Sequence, residues 1–189
     1  MPAARKDREG KNNLMPPAMF LIKPASSGCN MRCKYCFYFS EAAQRSVANY
    51  GMMPERTLEA IVRKALAYAD GHCGFAFQGG EPTLAGLPFF EKLMEFEQKY
   101  NVKGVRISNS IQTNGLLTDE SWARFFRDHR FLVGLSLDGD SDCHNLHRID
   151  AGGGGTFNRV MKTARLFDRI GVDYNILTVV TANTARYAR

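Results

Sequence analysis

The chain has 189 residues, 44% of them apolar and 23% charged, the balance of one folded globular domain, which excludes wholesale disorder. Lysine and arginine number 25 against 19 acidic residues, a net charge of +6 spread along the chain; the excess suits an anionic ligand, and its dispersal argues against a nucleic-acid partner. No segment approaches the roughly 20 apolar residues of a membrane helix, and residues 1–13 lack the apolar stretch of a secretory signal, so no membrane association and a cytoplasmic location are expected.

Residues 1–16 read as a flexible polar arm ahead of a single domain over 17–189. Residues 19–23 (MFLIK), an apolar run stopped by Pro24, predict the first strand. The stretch PASSGCNMRCKYCFYFS at 24–40 predicts a loop that leads into a helix. Residues 54–69 predict that helix: Pro54 suits a first turn, where its missing N–H costs nothing, and Leu58, Ile61, Val62, Ala65, Leu66 and Ala69 form one stripe. Gly71 is placed to end it. A strand follows at 74–78, then the turn GGEP, then a helix over 87–100 with Leu87, Phe90, Leu93 and Met94 inward. Residues 105–111 predict a strand running into QTNG. Thr118 is the expected cap of the next helix, with Asp119 and Glu120 in its first turn and Trp122, Phe125 and Phe126 on its apolar side. The run FLVGLSL at 131–137 reads as a strand buried on both faces. A polar loop holding four successive glycines, 152–155, precedes a helix over 157–169 that Gly171 ends, and 172–181 is the last strand.

Alternation of this kind predicts an α/β fold of five parallel strands with four complete crossover helices. Five units do not close an eight-stranded barrel; an open doubly wound sheet or part of an open barrel both fit, and both bind ligands at the C-terminal strand ends. SSGCNMRCKYCFY, QGGEP, QTNG and SLDGD all follow predicted strands and so gather at one mouth.

Five cysteines, an odd number in a reducing setting, make a disulfide framework a poor reading. Cys29, Cys33 and Cys36 fall within eight residues, and three thiolates on one loop suit an iron–sulfur cluster or zinc. A structural zinc wants a fourth ligand, which the loop lacks; three ligands on a four-iron cluster leave one iron open for chemistry. Cys73 and Cys143 read as ordinary thiols, and His144 and His147 as polar loop residues.

CNMRCKYC resembles the CxxxCxxC motif of the radical S-adenosylmethionine (radical SAM) enzymes, and QGGEP resembles their GGEP motif. KPASSGCN, CFYFS, FAFQGGEPTLAG, QTNG, SWARFF, FLVGLSLDG and HNLHR together closely resemble the anaerobic sulfatase-maturating enzymes, members of the SPASM group. The resemblance runs from about residue 19 onward and implies a partial, open (β/α)6-type barrel, truncated after about five units. It implies that Cys29, Cys33 and Cys36 ligate a [4Fe–4S] cluster whose fourth iron takes S-adenosylmethionine, and that the activity is oxidation of a sulfatase Cys or Ser to formylglycine. It further implies cofactor contacts for Tyr35, Gly79, Gly80, Glu81, Ser136 and Arg148, the last meeting the cofactor carboxylate, and substrate contacts for Tyr38 and Gln78. The partners implied are a sulfatase polypeptide and a flavodoxin- or ferredoxin-type electron donor. Asp140 stands where related enzymes often carry proline after SLDG, so a local difference in that turn is expected. The family's sixth strand, its substrate-side acid–base group and the auxiliary-cluster domain are expected beyond residue 189; no catalytic base is assigned within the chain, and full turnover by this portion alone is not expected. The alternatives are another peptide-modifying enzyme of the same group, such as a thioether-forming one, and a non-catalytic three-cysteine metal-binding module.

Overall fold

A computed structural model describes residues 16–187; the arm expected over 1–16 lies outside them, apart from Pro16. Five strands, β1 (Ala18–Ile22), β2 (His72–Phe77), β3 (Arg106–Thr113), β4 (Leu132–Ser136) and β5 (Tyr174–Leu177), form one sheet in chain order. Every neighbouring pair is parallel, with Ala18 opposite Cys73, His72 opposite Arg106, Ser110 opposite Leu132 and Val133 opposite Tyr174. A doubly wound sheet reverses its order at a switch point; an unbroken sequential order is that of a barrel wall, so the strands form an open arc of a barrel.

Four crossover helices, α2 (Glu55–Tyr68), α3 (Leu87–Tyr100), α4 (Glu120–Asp128) and α6 (Phe157–Ile170), are joined by the shorter α1 (Phe37–Ala43) and α5 (Ser141–His147). The main core lies between the long helices and one face of the sheet. Phe75, Phe77, Ile111, Val133 and Leu135 point into it from the strands, and Leu58, Phe90, Trp122, Phe126 and Phe167 from the helices. Phe90 meets Phe77, Trp122 and Phe131 edge-on, which suits the quadrupoles of stacked aromatic layers. Alternate strand positions face the other way. There the registers align Met19, Gly74 and Ser108, then Leu21, Ala76, Ser110 and Leu132, then Gln112, Gly134 and Asn175. Apart from the exposed Met19, Leu21 and Leu132, this second face is small-residue and polar, and no long helix among the described residues covers it.

That arrangement corrects the reading of β4. A continuous apolar run suggests burial on both faces, yet Leu132 is 41% exposed. Only the face of Val133 and Leu135 packs on helices. Gly134 keeps the open face clear, since a Cβ there would lie 2.5 Å from a Leu177 methyl.

Three further differences have local causes. The cap of α4 is Asp119, whose carboxylate accepts from the Trp122 N–H at 3.0 Å; the Gly115–Thr118 turn displaces the cap by one residue and leaves the Thr118 hydroxyl without a partner. Residues 141–147 are helical, not loop, because Asp140 caps them, accepting from the N–H groups of Asp142 (3.1 Å) and Cys143 (2.9 Å). The last strand stops at Leu177, short of the expected residue 181, because the Thr178 hydroxyl turns to the Leu137 carbonyl and the Val179 N–H to Asp138. Gly171, in the left-handed conformation (φ 79°), ends α6 as expected.

Candidate functional site

The loops after β1, β2, β3 and β4 meet over the C-terminal end of the sheet and enclose a cavity of about 260 Å³. All the site residues expected from the sequence border it. The three cysteines come from the first loop with Tyr35 and Tyr38, Gln78 to Glu81 from the second, and Ser136 and Arg148 from the fourth strand and beyond.

The cysteine loop is ordered by its neighbours. The N–H groups of Arg32 and Lys34 donate to the carbonyls of Ile149 (2.8 Å) and His147 (3.0 Å), and Met31 bridges Asp150 in antiparallel fashion. The loop is thus zipped to the segment that follows α5, which sets Cys33 beside Arg148. Within it, Cys36 N–H closes a turn on the Cys33 carbonyl, and α1 starts immediately after. Cys29 Sγ accepts from the Met31 N–H (3.4 Å) and from Asn114 Nδ2 (3.8 Å). Burial pushes the Cys33 thiol up to about 11, the nearby Arg148 charge opposing, and burial raises Cys29 as well.

These thiols suit a multi-iron group. Three thiols border a single cavity, and soft sulfur donors of that kind suit an iron–sulfur cluster.

The GGEP turn braces this loop. Gly80 has φ +56°, and a Cβ on it would sit 2.2 Å from the Gly28 carbonyl oxygen, so only glycine fits. The next residue, Glu81, donates its N–H to the same carbonyl at 2.8 Å. The Glu81 side chain, 1% exposed, accepts from Thr83 N–H (3.0 Å), the hydroxyls of Thr83 (2.6 Å) and Thr113 (2.7 Å), and Asn114 N–H (2.8 Å). Burial raises its pKa while these donors pull the other way. The carboxylate is therefore occupied within the protein. It ties the GGEP turn to the end of β3 and sets Asn114, which also donates to Asn30 at 2.7 Å across the loop boundary.

Asp138, which the sequence did not single out, is the most connected group of the opposite wall. It accepts from Arg148 Nε (2.9 Å) and Nη2 (3.1 Å), from the Tyr35 hydroxyl (2.5 Å) and from the Val179 N–H (2.9 Å). Burial alone would raise its pKa, but these donors outweigh it and hold the carboxyl below the usual range. Arg148 is buried, with its guanidinium 5.5 Å from the centre of the Tyr35 ring. Asp140, which caps α5, keeps the helix and so Arg148 in place despite the missing proline.

His144 is a buried helical residue, not an exposed loop one. Its Nδ1 accepts from the Asp138 N–H (3.3 Å) and its Nε2 meets the Thr156 hydroxyl (2.9 Å). Burial lowers its pKa to about 4, so the ring is neutral. His147 lies with its ring centre 5.4 Å from that of Tyr35, the two planes tilted by 49°. On the outer rim Tyr38 packs on Phe37 and under the Lys23 ammonium at 4.5 Å. Gln78 lies between the cavity and a groove on the open sheet face floored by Ala76, Ser110 and Gly134.

Comparison with known proteins agrees with the fold. The chain is 58% identical over 173 residues to a cysteine-type anaerobic sulfatase-maturating enzyme of Clostridium perfringens, covering 92% of this chain and 47% of that protein. It is 37% identical over 175 residues to a serine-type anaerobic sulfatase-maturating enzyme of Klebsiella aerogenes, covering 91% of this chain and 42% of the relative. A solved structure of native anSMEcpe with bound AdoMet and the Cp18Cys peptide superposes with a TM-score of 0.85 at 56% identity, over 91% of this chain and 45% of that one. The chain thus spans about half the length of the relatives it matches. The family model of the Radical SAM superfamily matches residues 24–185, from the start of the cysteine loop to beyond β5, and the chain belongs to that superfamily.

Proposed function

We propose that this chain is the radical-generating portion of an anaerobic sulfatase-maturating enzyme of the cysteine type, one that converts a sulfatase's active-site cysteine to formylglycine. The observation that carries the reading is the placement of Cys29, Cys33 and Cys36 with Arg148 around one cavity, on a loop that the GGEP turn braces. The higher identity to cysteine-type than to serine-type relatives favours the cysteine substrate.

In this reading Cys29, Cys33 and Cys36 hold three irons of a [4Fe–4S] cluster, and S-adenosylmethionine takes the fourth. When bound, the pair supplies a one-electron cleavage that yields a carbon radical able to take hydrogen from the substrate's β-carbon. The protein's share is binding, aim and exclusion of water. Backbone at Gly79 and Gly80 admits the methionine end of the cofactor because no Cβ intervenes. Arg148 offers planar N–H donors to its carboxylate, a geometry that lysine does not reproduce. Ser136 and Tyr35 border the nucleoside side, and Glu81 contributes by holding the turn and Asn114 in place. Tyr38 and Gln78, at the rim, face the sulfatase polypeptide.

Partners outside the chain are that sulfatase segment and an electron donor of flavodoxin or ferredoxin type. All five cysteines are free thiols, which suits the reducing cytoplasm where we place the protein. No helix among the described residues is long and apolar enough to cross a membrane.

The test is anaerobic reconstitution with iron and sulfide. About four irons per chain are expected, and dithionite with S-adenosylmethionine should release 5′-deoxyadenosine from the native chain but not from Cys33→Ala. Uptake of a single zinc with no deoxyadenosine would overturn the assignment. With a cysteine-containing sulfatase peptide deuterated at the cysteine β-carbon, the label should appear in the 5′-deoxyadenosine; label arriving only from another position would move the chain to another peptide-modifying activity.

A further inference from the structure

We infer that Asp138 is the positioning residue of this site: it aims the Arg148 guanidinium at the cofactor carboxylate and holds the Tyr35 ring against it. The inference deepens the function proposed above and rests on it.

Asp138 lies two residues past Ser136, on the turn that leaves β4, and is 1% exposed. Oδ2 accepts from Tyr35 and Arg148 Nε; Oδ1 accepts from Arg148 Nη2 and Val179. Two ionised oxygens offer about four acceptor positions, so each is fully used by the protein. Asp138 has nothing left to offer a ligand and acts only through its partners. Those partners come from three parts of the chain, the cysteine loop, the end of α5 and the segment after β5, and meet on the turn that leaves β4.

The fork to Asp138 occupies two of the guanidinium's five N–H donors and fixes its plane. Tyr35 closes the arrangement, donating to the same Oδ2 that Arg148 Nε uses while its ring lies 5.5 Å from the guanidinium carbon. Rotation of either side chain breaks a bond to Asp138. The Arg148–Asp138 pair is also neutral as a unit, so it recognises a further carboxylate by the direction of its remaining N–H groups more than by net charge.

The experiment compares two ligands, S-adenosylmethionine and its decarboxylated analogue, on the reconstituted full chain. Binding is read by equilibrium dialysis and by the perturbation of the reduced cluster's electron paramagnetic resonance spectrum. Asp138→Asn, with iron content unchanged, should bind S-adenosylmethionine about 10- to 100-fold more weakly, the usual penalty for losing such a supporting group. The decarboxylated analogue should lose distinctly less, because it never used Arg148 and keeps only the nucleoside side that Tyr35 borders. The double variant Asp138→Asn with Arg148→Lys should be no weaker than Arg148→Lys alone, since both remove one function. Equal losses for the two ligands, or losses that multiply in the double variant, would overturn the inference. Should Asp138→Asn fail to load iron, Tyr35→Phe and Arg148→Lys keep the carboxylate in place: their combined loss must fall short of the product of the single losses, and a full product overturns the proposal. A native chain that assembles a cluster yet binds neither ligand would instead overturn the functional reading itself.

Discussion

Glu97 is a carboxyl group with no role at the mouth and an unusual setting. It projects from α3 toward β3, is 8% exposed, and accepts from Asn109 Nδ2 at 3.2 Å. Its other oxygen and the Asn109 carbonyl oxygen are both buried without a partner. Burial raises its pKa to about 7, the Asn109 N–H opposing. A protonated Glu97 can donate to the Asn109 carbonyl and satisfy both oxygens at once, which an ionised one cannot. The folded-state pKa lies above the unfolded one, so the folded chain holds an extra proton between about pH 4.5 and 7. This contribution is complete below that window and is lost as pH rises through it, a change of about 3 kcal/mol in stability. Urea unfolding of native and Glu97→Gln chains at pH 5 and pH 8 checks it: the glutamine variant, which carries a donor at every pH, should lose this pH dependence and gain on the native chain at pH 8. Single residues also mark where the sequence was silent. The cysteine triplet and Gly80 are legible because their spacing or conformation leaves few alternatives. Asp138 is not, because its significance arises from a partner 103 residues away.

At the level of elements, legibility followed the length of the apolar pattern. Helix α3 was read to the residue, from Leu87 to Tyr100, because its stripe spans four turns. Helix α5 escaped because SDCHNLH has no such stripe; its stability comes from the Asp140 cap and from packing on α6. The α4 cap shows how one turn redistributes roles between neighbours. Asp119→Ala should cost about 1 kcal/mol, the usual worth of an N-cap. Thr118→Val should cost nothing measurable or stabilise, because its buried hydroxyl has no partner to lose. Thermal unfolding of the two variants side by side decides between them, and a larger loss at Thr118 would restore the sequence's choice of cap.

For the whole molecule, alternation of strands and helices was enough to predict a parallel sheet, but not to choose between a doubly wound sheet and a barrel wall. That choice depends on all long crossover helices lying on one side, which no local pattern encodes. The same global arrangement brings four loops together at the mouth and desolvates the cysteines there. Because burial raises Cys29, and Cys33 to about 11, these thiols hold their protons in the metal-free chain, and iron must displace them. Cluster uptake should therefore release protons and strengthen as pH rises between about 6 and 9; iron binding measured across that range, with the proton yield, tests it. Uptake independent of pH would mean that the thiols are already ionised.

The antiparallel stitching of Arg32 and Lys34 onto residues 147–149 carries a kinetic corollary for how the protein matures. A ligand loop that must be organised by its metal spends part of the binding energy on its own ordering. Here folding of the polypeptide meets that entropy cost in advance, so arriving iron and sulfide encounter a mould already cast and not a tether to be wound around its cargo.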